Sequence, residues 1–517
     1  VSNGDRFASK STPALWRRLA APLSALLLLL AGLWRLDDVP SWWDEGWTLT
    51  VARTWVERGF YGRLRAGELA PAGLQADFSV TAPAALGMRL FGVGMWQGRL
   101  FGLLLALAAL GMYVYLARRL YGGRVAAATL AVLLLTPVHP QMHALLMGRL
   151  ALAEMPMLAY LMAGLILTLW GLERSRWWLI PAALLWGVAV NSKSQALPFW
   201  LVSLLAPLAL CALGRRWGAA GALGAALAGG LAAARALPLA RDRLLAGRTL
   251  PPEPISGLYE VTGAVLAAPA RWQALKILLL FGLPATAGTA YALWVWWRRR
   301  PDWCAPADLV RLALLTLAAS WLGWFGLLSA GFERYLFPAL FFAAMFTALL
   351  LERLSSGFDL AGVLRRAALA LRPEGRTRAA LAAWAALLFL AATVPLTLLT
   401  VYQQYITQAD RSNFAVAEFL NTRTPPAELV ETYDSELFVL LQRPYHYPPD
   451  QLHVELNRRL FLRQPVPIGY DPLAADPDYL AVGWFNRMWG TYDAALASGQ
   501  FREVFRSGDY VVYRRDR

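Results

Sequence analysis

Residues 101–124 read FGLLLALAALGMYVYLARRLYGGR, an apolar run from Phe101 to Leu116 closed by Arg118, Arg119 and, past two glycines, Arg124. An α-helix needs about 20 predominantly apolar residues to cross the hydrocarbon of a bilayer, and this run reaches that length with its flanks. The arginines that close it mark a direction, because Lys and Arg in short loops stay on the cytoplasmic side.

The pattern repeats on both sides of this stretch. Further apolar blocks at Leu23–Leu33, Ala219–Ala234 and Ala379–Leu399 belong to a series that predicts spans over 19–36, 99–117, 125–139, 151–171, 177–192, 196–213, 218–237, 275–297, 312–329, 336–351 and 380–401, about eleven in all. Basic residues alternate with them. Arg17/Arg18, Arg118/Arg119/Arg124, Arg174/Arg176, Arg215/Arg216, Arg298 to Arg300 with Arg311, and the run Arg353, Arg365, Arg366, Arg372, Arg376, Arg378 all fall on one side. That side is predicted cytoplasmic, together with the N-terminus. The opposite side receives the loop 37–98, the loop His139–Arg149, the turn Asn191–Gln195, the loop 238–274, the turn Gly331–Tyr335 and everything after Tyr402. The first apolar block has Arg17 and Arg18 before it and no small-residue cleavage site after it, so it reads as a retained anchor preceded by the short polar stretch Val1–Thr12.

Composition supports the same class. A chain of 517 residues that is 58% hydrophobic and 16% charged does not fold as a soluble globule without large exposed apolar patches. The expected fold is mainly α, a polytopic membrane helical bundle. The net charge of +15 would suggest a nucleic-acid partner in a soluble protein, but cytoplasmic loops facing anionic headgroups account for it, and no nucleic acid is expected. Cys211 falls in a span and Cys304 in a cytoplasmic loop, which leaves neither a disulfide nor a CxxC metal site. His139 and His143 have i,i+4 spacing, but Pro140 between them breaks a shared helical face, and a plain loop is favoured over a metal pair. No cofactor is required by the sequence, and a divalent metal stays open.

From residue 402 the character changes: charges are frequent, Pro425/Pro426 and Pro448/Pro449 punctuate, and no stretch is long enough to span. Helical periodicity over Phe414–Leu420, apolar runs at Leu437–Leu441 and Tyr479–Val482, and a hairpin over Phe501–Tyr513 around Ser507-Gly508-Asp509 predict a small extracytoplasmic α/β domain. The division is then 1–401, membrane part, and 402–517, soluble domain. The Ala/Gly/Leu-rich span 218–237 reads as a close-packing surface between helices.

Chemistry concentrates on the extracytoplasmic side. Pro40-Ser41-Trp42-Trp43-Asp44-Glu45-Gly46-Trp47 sets two carboxylates among three tryptophans directly after the first span, and Trp47–Trp55 reads as an interfacial helix lying on the membrane. An aromatic belt with two solvated acids is the bland reading. The functional one is a carboxylate at headgroup depth that takes a proton from an acceptor hydroxyl while the leaving group stays in lipid. Three more positions share that side: Gly148-Arg149 with Glu154 about one turn into a span, Lys193 in Asn191-Ser192-Lys193-Ser194, and Arg334 in Glu333-Arg334-Tyr335-Leu336-Phe337-Pro338. Singly, each is as well explained by snorkelling. Together, two carboxylates and two cations on a face where short loops avoid Lys and Arg point to a lipid-phosphate site with a base opposite.

The order of Asp44-Glu45, Thr81-Ala82-Pro83, Gly98-Arg99-Leu100, Arg118-Arg119-Leu120-Tyr121-Gly122-Gly123, Gly148-Arg149 with Glu154, Lys193, and Arg334-Tyr335-Leu336-Phe337-Pro338 resembles the GT-C membrane glycosyltransferases. The branch it is most similar to contains dolichyl-phosphate-mannose protein mannosyltransferases, lipid A aminoarabinose transferases and Rgt-type sugar transferases, over roughly residues 15–345. The resemblance implies inverting transfer of a sugar from a polyprenyl-phosphate donor to an extracytoplasmic acceptor of unspecified class, with membrane lipids as the surroundings. It implies Asp44 as general base, Glu45 or Glu154 as orienting groups, Lys193, Arg334 and Arg149 as donor-phosphate contacts, and Trp43, Trp47 and Tyr335 as substrate contacts. The absence of a P-loop or Rossmann glycine pattern agrees with a lipid-linked donor. Two other classes compete: a lipid or solute transporter, which would carry its charges near the midplane with repeat symmetry, and a non-catalytic envelope-assembly scaffold bound through the tail.

Overall fold

The computed structural model describes residues 14–74, 77–299, 305–372, 377–408 and 410–516. Among the described residues eight helices are long and apolar enough to cross a membrane: Met95–Tyr121, Glu154–Glu173, Ala196–Leu213, Trp217–Leu244, Ala268–Arg298, Pro306–Leu328, Glu333–Leu354 and the helix that begins at Arg378. The chain is a multi-pass integral membrane protein built mainly of α-helix. Ala21–Leu33, Gly123–Leu135 and Leu179–Ser192 are shorter apolar helices at the positions of three further expected spans. Arg300, Cys304 and Arg376 lie outside the described residues, as does the polar opening.

Close packing follows the small residues. A Cβ at Gly187 would meet Ala233 and the backbone of Ala234, and one at Gly230 would enter the ring of Trp200, so helix Trp217–Leu244 docks tightly on its neighbours through the predicted Ala/Gly face. Helix Glu333–Leu354 runs through the middle of the bundle, buried along most of its length. Tyr113 donates its hydroxyl hydrogen to the Phe342 carbonyl at 2.5 Å. The outward faces carry Leu279, Leu280, Trp294, Leu388 and Leu396, as a bundle solvated by lipid requires.

The loop after the first helix is more structured than a surface segment. Trp43–Arg58 is a helix, as expected of Trp47–Trp55, but it is buried along most of its length and does not lie free on the bilayer. It is enclosed because its aromatic side chains have protein to pack on: Trp47 meets Phe438 and Tyr447 at 4.9 Å each. A Cβ at Gly46 would stand 2.3 Å from the Ser435 carbonyl carbon, so only glycine permits this approach of helix to tail. The strands β1 (Arg63–Arg65) and β2 (Glu68–Ala70) form an antiparallel ribbon, and Phe78–Phe91 is an apolar helix where the sequence had suggested loop.

The tail holds a mixed five-stranded sheet. Its strands are β3 (Val430–Thr432), β4 (Tyr445–His446), β5 (Tyr479–Val482), β6 (Phe501–Ser507) and β7 (Tyr510–Arg515), in the order β4-β3-β5-β7-β6. The first three are parallel, and β5, β7 and β6 are antiparallel, the last pair being the predicted hairpin. Helices Ser412–Arg423 and Asp450–Phe461 accompany the sheet, the first covering the predicted Phe414–Leu420, whereas Leu437–Leu441 forms turns after a 3₁₀ segment, Ser435–Leu437. Trp43 and Trp47 belong to the hydrophobic core of this region, beside Tyr433, Leu437 and Phe438.

Candidate active site

Four separate elements deliver the charged groups. Asp44 lies in the first turn of helix Trp43–Arg58, Glu154 begins helix Glu154–Glu173, Lys193 follows helix Leu179–Ser192, and Arg334 lies in the first turn of helix Glu333–Leu354. They meet at one end of the bundle. Lys193 Nζ is 2.7 Å from Glu154 Oε1, Arg334 Nε is 3.9 Å from the same oxygen, and Arg334 Nη1 is paired with Asp44 Oδ2. Tyr335 forms one wall, its ring centre 5.4 Å from Lys193 Nζ and 5.7 Å from the Arg334 guanidinium, and Trp42 faces the same guanidinium at 5.9 Å.

The helix ends favour some of these groups and oppose one. Glu154 at a helix N-terminus and Lys193 at a helix C-terminus complement the backbone dipoles. Arg334, a cation at an N-terminus, does not, and the carboxylates of Asp44 and Glu154 compensate. Asp44 and Glu154 are 7% and 1% exposed, so each charge needs its partner. The cluster is two carboxylates neutralised by two cations, brought together from four separate elements.

Asp77, which nothing in the sequence singles out, lies within electrostatic range of this group. It precedes the unforeseen helix Phe78–Phe91, and burial pushes its carboxyl up to about 7, against the pull of Lys193 and Arg241 and with a further push from Glu154. The only sequence signal was an Asp in front of an apolar run, the ordinary mark of a helix start.

Glu45 turns the other way. Arg99 grips it through Nε and Nη2 at 2.7 and 2.8 Å, and the Ala151 N–H donates to Glu45 Oε1 at 2.8 Å. Arg99 also donates to the carbonyls of Leu36 and Val39 at 2.7 and 3.2 Å. The pair thus ties the end of the first helix to the start of the site, and Glu45 presents no free oxygen to a substrate. Arg149 is also apart from the four-charge cluster. It donates to the carbonyls of Trp34 and Arg35 and lies 4.0 Å over the ring of Tyr405, beside a cavity of about 720 Å³ that Trp42, Gln141, Trp484 and Tyr510 also line. Trp43 and Trp47, expected as substrate contacts, are instead 3% and 2% exposed in the tail's core, because the tail folds over them.

The histidines of the loop 139–149 cap backbone. His139 Nδ1 accepts from the Gln141 N–H and His143 Nδ1 from the Leu146 N–H, both at 3.3 Å. Among the described residues no group of three or more His, Cys, Asp or Glu side chains is placed to hold a metal ion.

The fold has counterparts among solved structures. The structure of ArnT from Cupriavidus metallidurans bound to undecaprenyl phosphate superposes with a TM-score of 0.61 at 18% identity, covering 97% of this chain and 98% of that one. The chain has the GT-C fold. The GT-C likeness extends to the apo form of the same enzyme, TM-score 0.57 at 18% identity over 97% and 98% of the two chains. The Archaeoglobus fulgidus oligosaccharyltransferase in its apo form follows at 0.53 and 13% identity, over 98% of this chain and 75% of that one. In sequence, the family model described as dolichyl-phosphate-mannose-protein mannosyltransferase matches residues 80–236, a segment of the GT-C bundle that carries Glu154 and Lys193. No curated protein matches.

Proposed function

We propose that this chain is a membrane glycosyltransferase that moves a sugar from a polyprenyl-phosphate donor to an acceptor hydroxyl outside the cytoplasm, with inversion. One observation carries the proposal: Asp44, Glu154, Lys193 and Arg334 converge from four elements at one end of a GT-C bundle. Two solved structures of similar fold, ArnT from Cupriavidus metallidurans and AglB from Archaeoglobus fulgidus, hold undecaprenyl phosphate and dolichol-phosphate.

In this proposal Asp44 takes the proton from the acceptor hydroxyl as its oxygen attacks the anomeric carbon. The bond from that carbon to the phosphate oxygen breaks on the opposite face, and polyprenyl phosphate leaves with the bonding pair. Lys193 and Arg334 receive the charge that develops on the phosphate, where fixed donors in a partly dry site are most effective. Glu154 holds those two cations in place, and Tyr335 lines the sugar space. The Glu45–Arg99 pair positions Asp44, and Arg149 stands beside the neighbouring cavity at headgroup depth. None of these steps uses a metal, and an assay with and without chelator tests for one.

The topology assigned to this function has about eleven spans, the three short apolar helices completing the eight long ones. The N-terminus is cytoplasmic and the tail extracytoplasmic, as the alternation of basic loops supports. Residues 1–401 form the catalytic membrane part and 402–517 the outer one, with Trp43 and Trp47 lent to the core of the latter. A transporter is disfavoured because the charges meet at helix ends. The deciding experiment incubates purified protein with a panel of polyprenyl-phosphate sugars and follows release of free polyprenyl phosphate. No release from any donor, under conditions where a lipid or solute crosses vesicles containing the protein, would replace enzyme by transporter.

A further inference from the structure

The tail reaches into the site through helix Asp450–Phe461. Its first residue is locked by Arg63, whose Nη1 and Nη2 lie 2.8 and 3.1 Å from the two Asp450 oxygens. At its far end Phe461 packs on Phe332 at 4.4 Å, two residues before Arg334. Positions 453, 457 and 461 follow at intervals of four and so share one helical face. The helix therefore bridges from the Asp44 side of the site to the Arg334 side with His453 on the bridging face.

His453 stacks on Trp43 at 4.4 Å and 14°, against the residue next to Asp44, and Asn457 Nδ2 donates to the His453 carbonyl at 2.6 Å. Both Asp44 and Arg334 act on its charge. The imidazole is only half-buried, yet its Nδ1 is shut away with no hydrogen-bond partner, and among the described residues neither ring nitrogen forms a hydrogen bond. An enclosed N–H without an acceptor is costlier than an enclosed lone pair, which leaves the hydrogen on Nε2.

We propose that His453 is a substrate-positioning residue of this site, its Nε2–H donating to a hydroxyl oxygen of the acceptor or of the transferred sugar held beside Asp44. The inference rests on the glycosyl-transfer function proposed above. Enclosure pulls the imidazole pKa down to about 4, which keeps the ring uncharged at neutral pH and spares the cluster a third cation. Nothing in the order of residues points to this, because His453 is 409 positions from Asp44, in a segment whose chemistry looks ordinary.

The test compares His453→Phe, which keeps a flat ring on Trp43 and removes the donor, with His453→Gln, which restores an N–H. We expect the Phe variant to raise one KM by about 10-fold or more, and the Gln variant to recover most of it, at unchanged thermal midpoint. A rise in acceptor KM assigns the bond to the acceptor; a rise in donor KM assigns it to the sugar. If the Phe variant does not fold, the near-isosteric pair His453→Gln and His453→Met makes the same comparison. Equal KM values in the donor and non-donor variants overturn the proposal. Wild-type protein that transfers no sugar overturns the function beneath it, whereas wild-type transfer with an unaffected Phe variant removes only His453.

Discussion

Arg99 and Glu45 form a fully enclosed, two-pronged ion pair, at 2.7 and 2.8 Å, that joins helix Met95–Tyr121 to the helix bearing Asp44. Removing one partner of such a pair strands a charge, at about 3–5 kcal/mol. Glu45→Ala or Arg99→Ala should therefore lower the thermal midpoint in detergent and the yield of folded protein. A Glu45→Ala protein of wild-type stability with turnover abolished would instead put Glu45 in the chemistry.

Asp44 is the sharper case. Asp44→Asn preserves shape and removes the proton acceptor, so transfer should fall by at least ~10²-fold while donor binding persists. Single-turnover release of polyprenyl phosphate measures the first, and binding of a non-transferable donor analogue the second. Undiminished transfer would leave Asp44 as a mere partner of Arg334.

Lys193→Ala and Arg334→Ala should each weaken donor binding by about 1.5–3 kcal/mol, the range of a charge-assisted contact. The Arg334 variant should also lose stability, since it leaves Asp44 and Glu154 with one cation between them. Titrating donor into both variants settles the point: normal affinity in both would reduce the cations to a structural role.

Asp77 should make donor use depend on pH. Its carboxyl keeps a proton up to about 7 in the folded protein, against an ordinary 3.8, so folded stability falls as pH rises from about 4 to 7 and levels off above. The charge that appears near pH 7 also opposes a phosphate beside Lys193. Donor affinity should thus decline as pH rises through 7, and Asp77→Asn should flatten the curve at the tight-binding end.

Orientation is testable with exposed serines. In a background lacking Cys211 and Cys304, cysteines at Ser256 and Ser498 should react with an impermeant maleimide on intact cells, and one at Ser175 only after lysis. Labelling of Ser175→Cys from outside would invert the topology and remove the proposed site from the outer face.

The bundle was legible because membrane spans are written locally: a run such as Phe101–Leu116 needs no partner to declare itself. The four charges were legible for a related reason, since Glu154, Lys193 and Arg334 each break an apolar context and Asp44 stands among tryptophans directly after the first span. What the sequence hid depends on distant contacts. Trp43 and Trp47 look the same beside a bilayer as beside Phe438, and only the fold of the tail tells the two apart. Glu45 and Asp44 are adjacent letters, and the helix turn that sends one to Arg99 and the other to Arg334 separates their roles. Helix Phe78–Phe91 was obscured by Pro83 and by its short length.

The indole N–H of Trp43 donates to the Tyr433 carbonyl across 390 positions of chain, at 2.8 Å. During synthesis the helix bearing Asp44 is therefore made long before its cover exists, and nearly every membrane helix is made in the interval. Closing so long a loop is slow and entropically costly, which places this contact among the last to form. A ribosome-bound or prematurely terminated chain already owns Asp44, Glu154, Lys193 and Arg334, yet has nowhere to seat Trp43. On the function proposed above, the molecule would become competent only once its tail has folded, and unfinished copies in the membrane would hold the charges without the enclosure around Trp43.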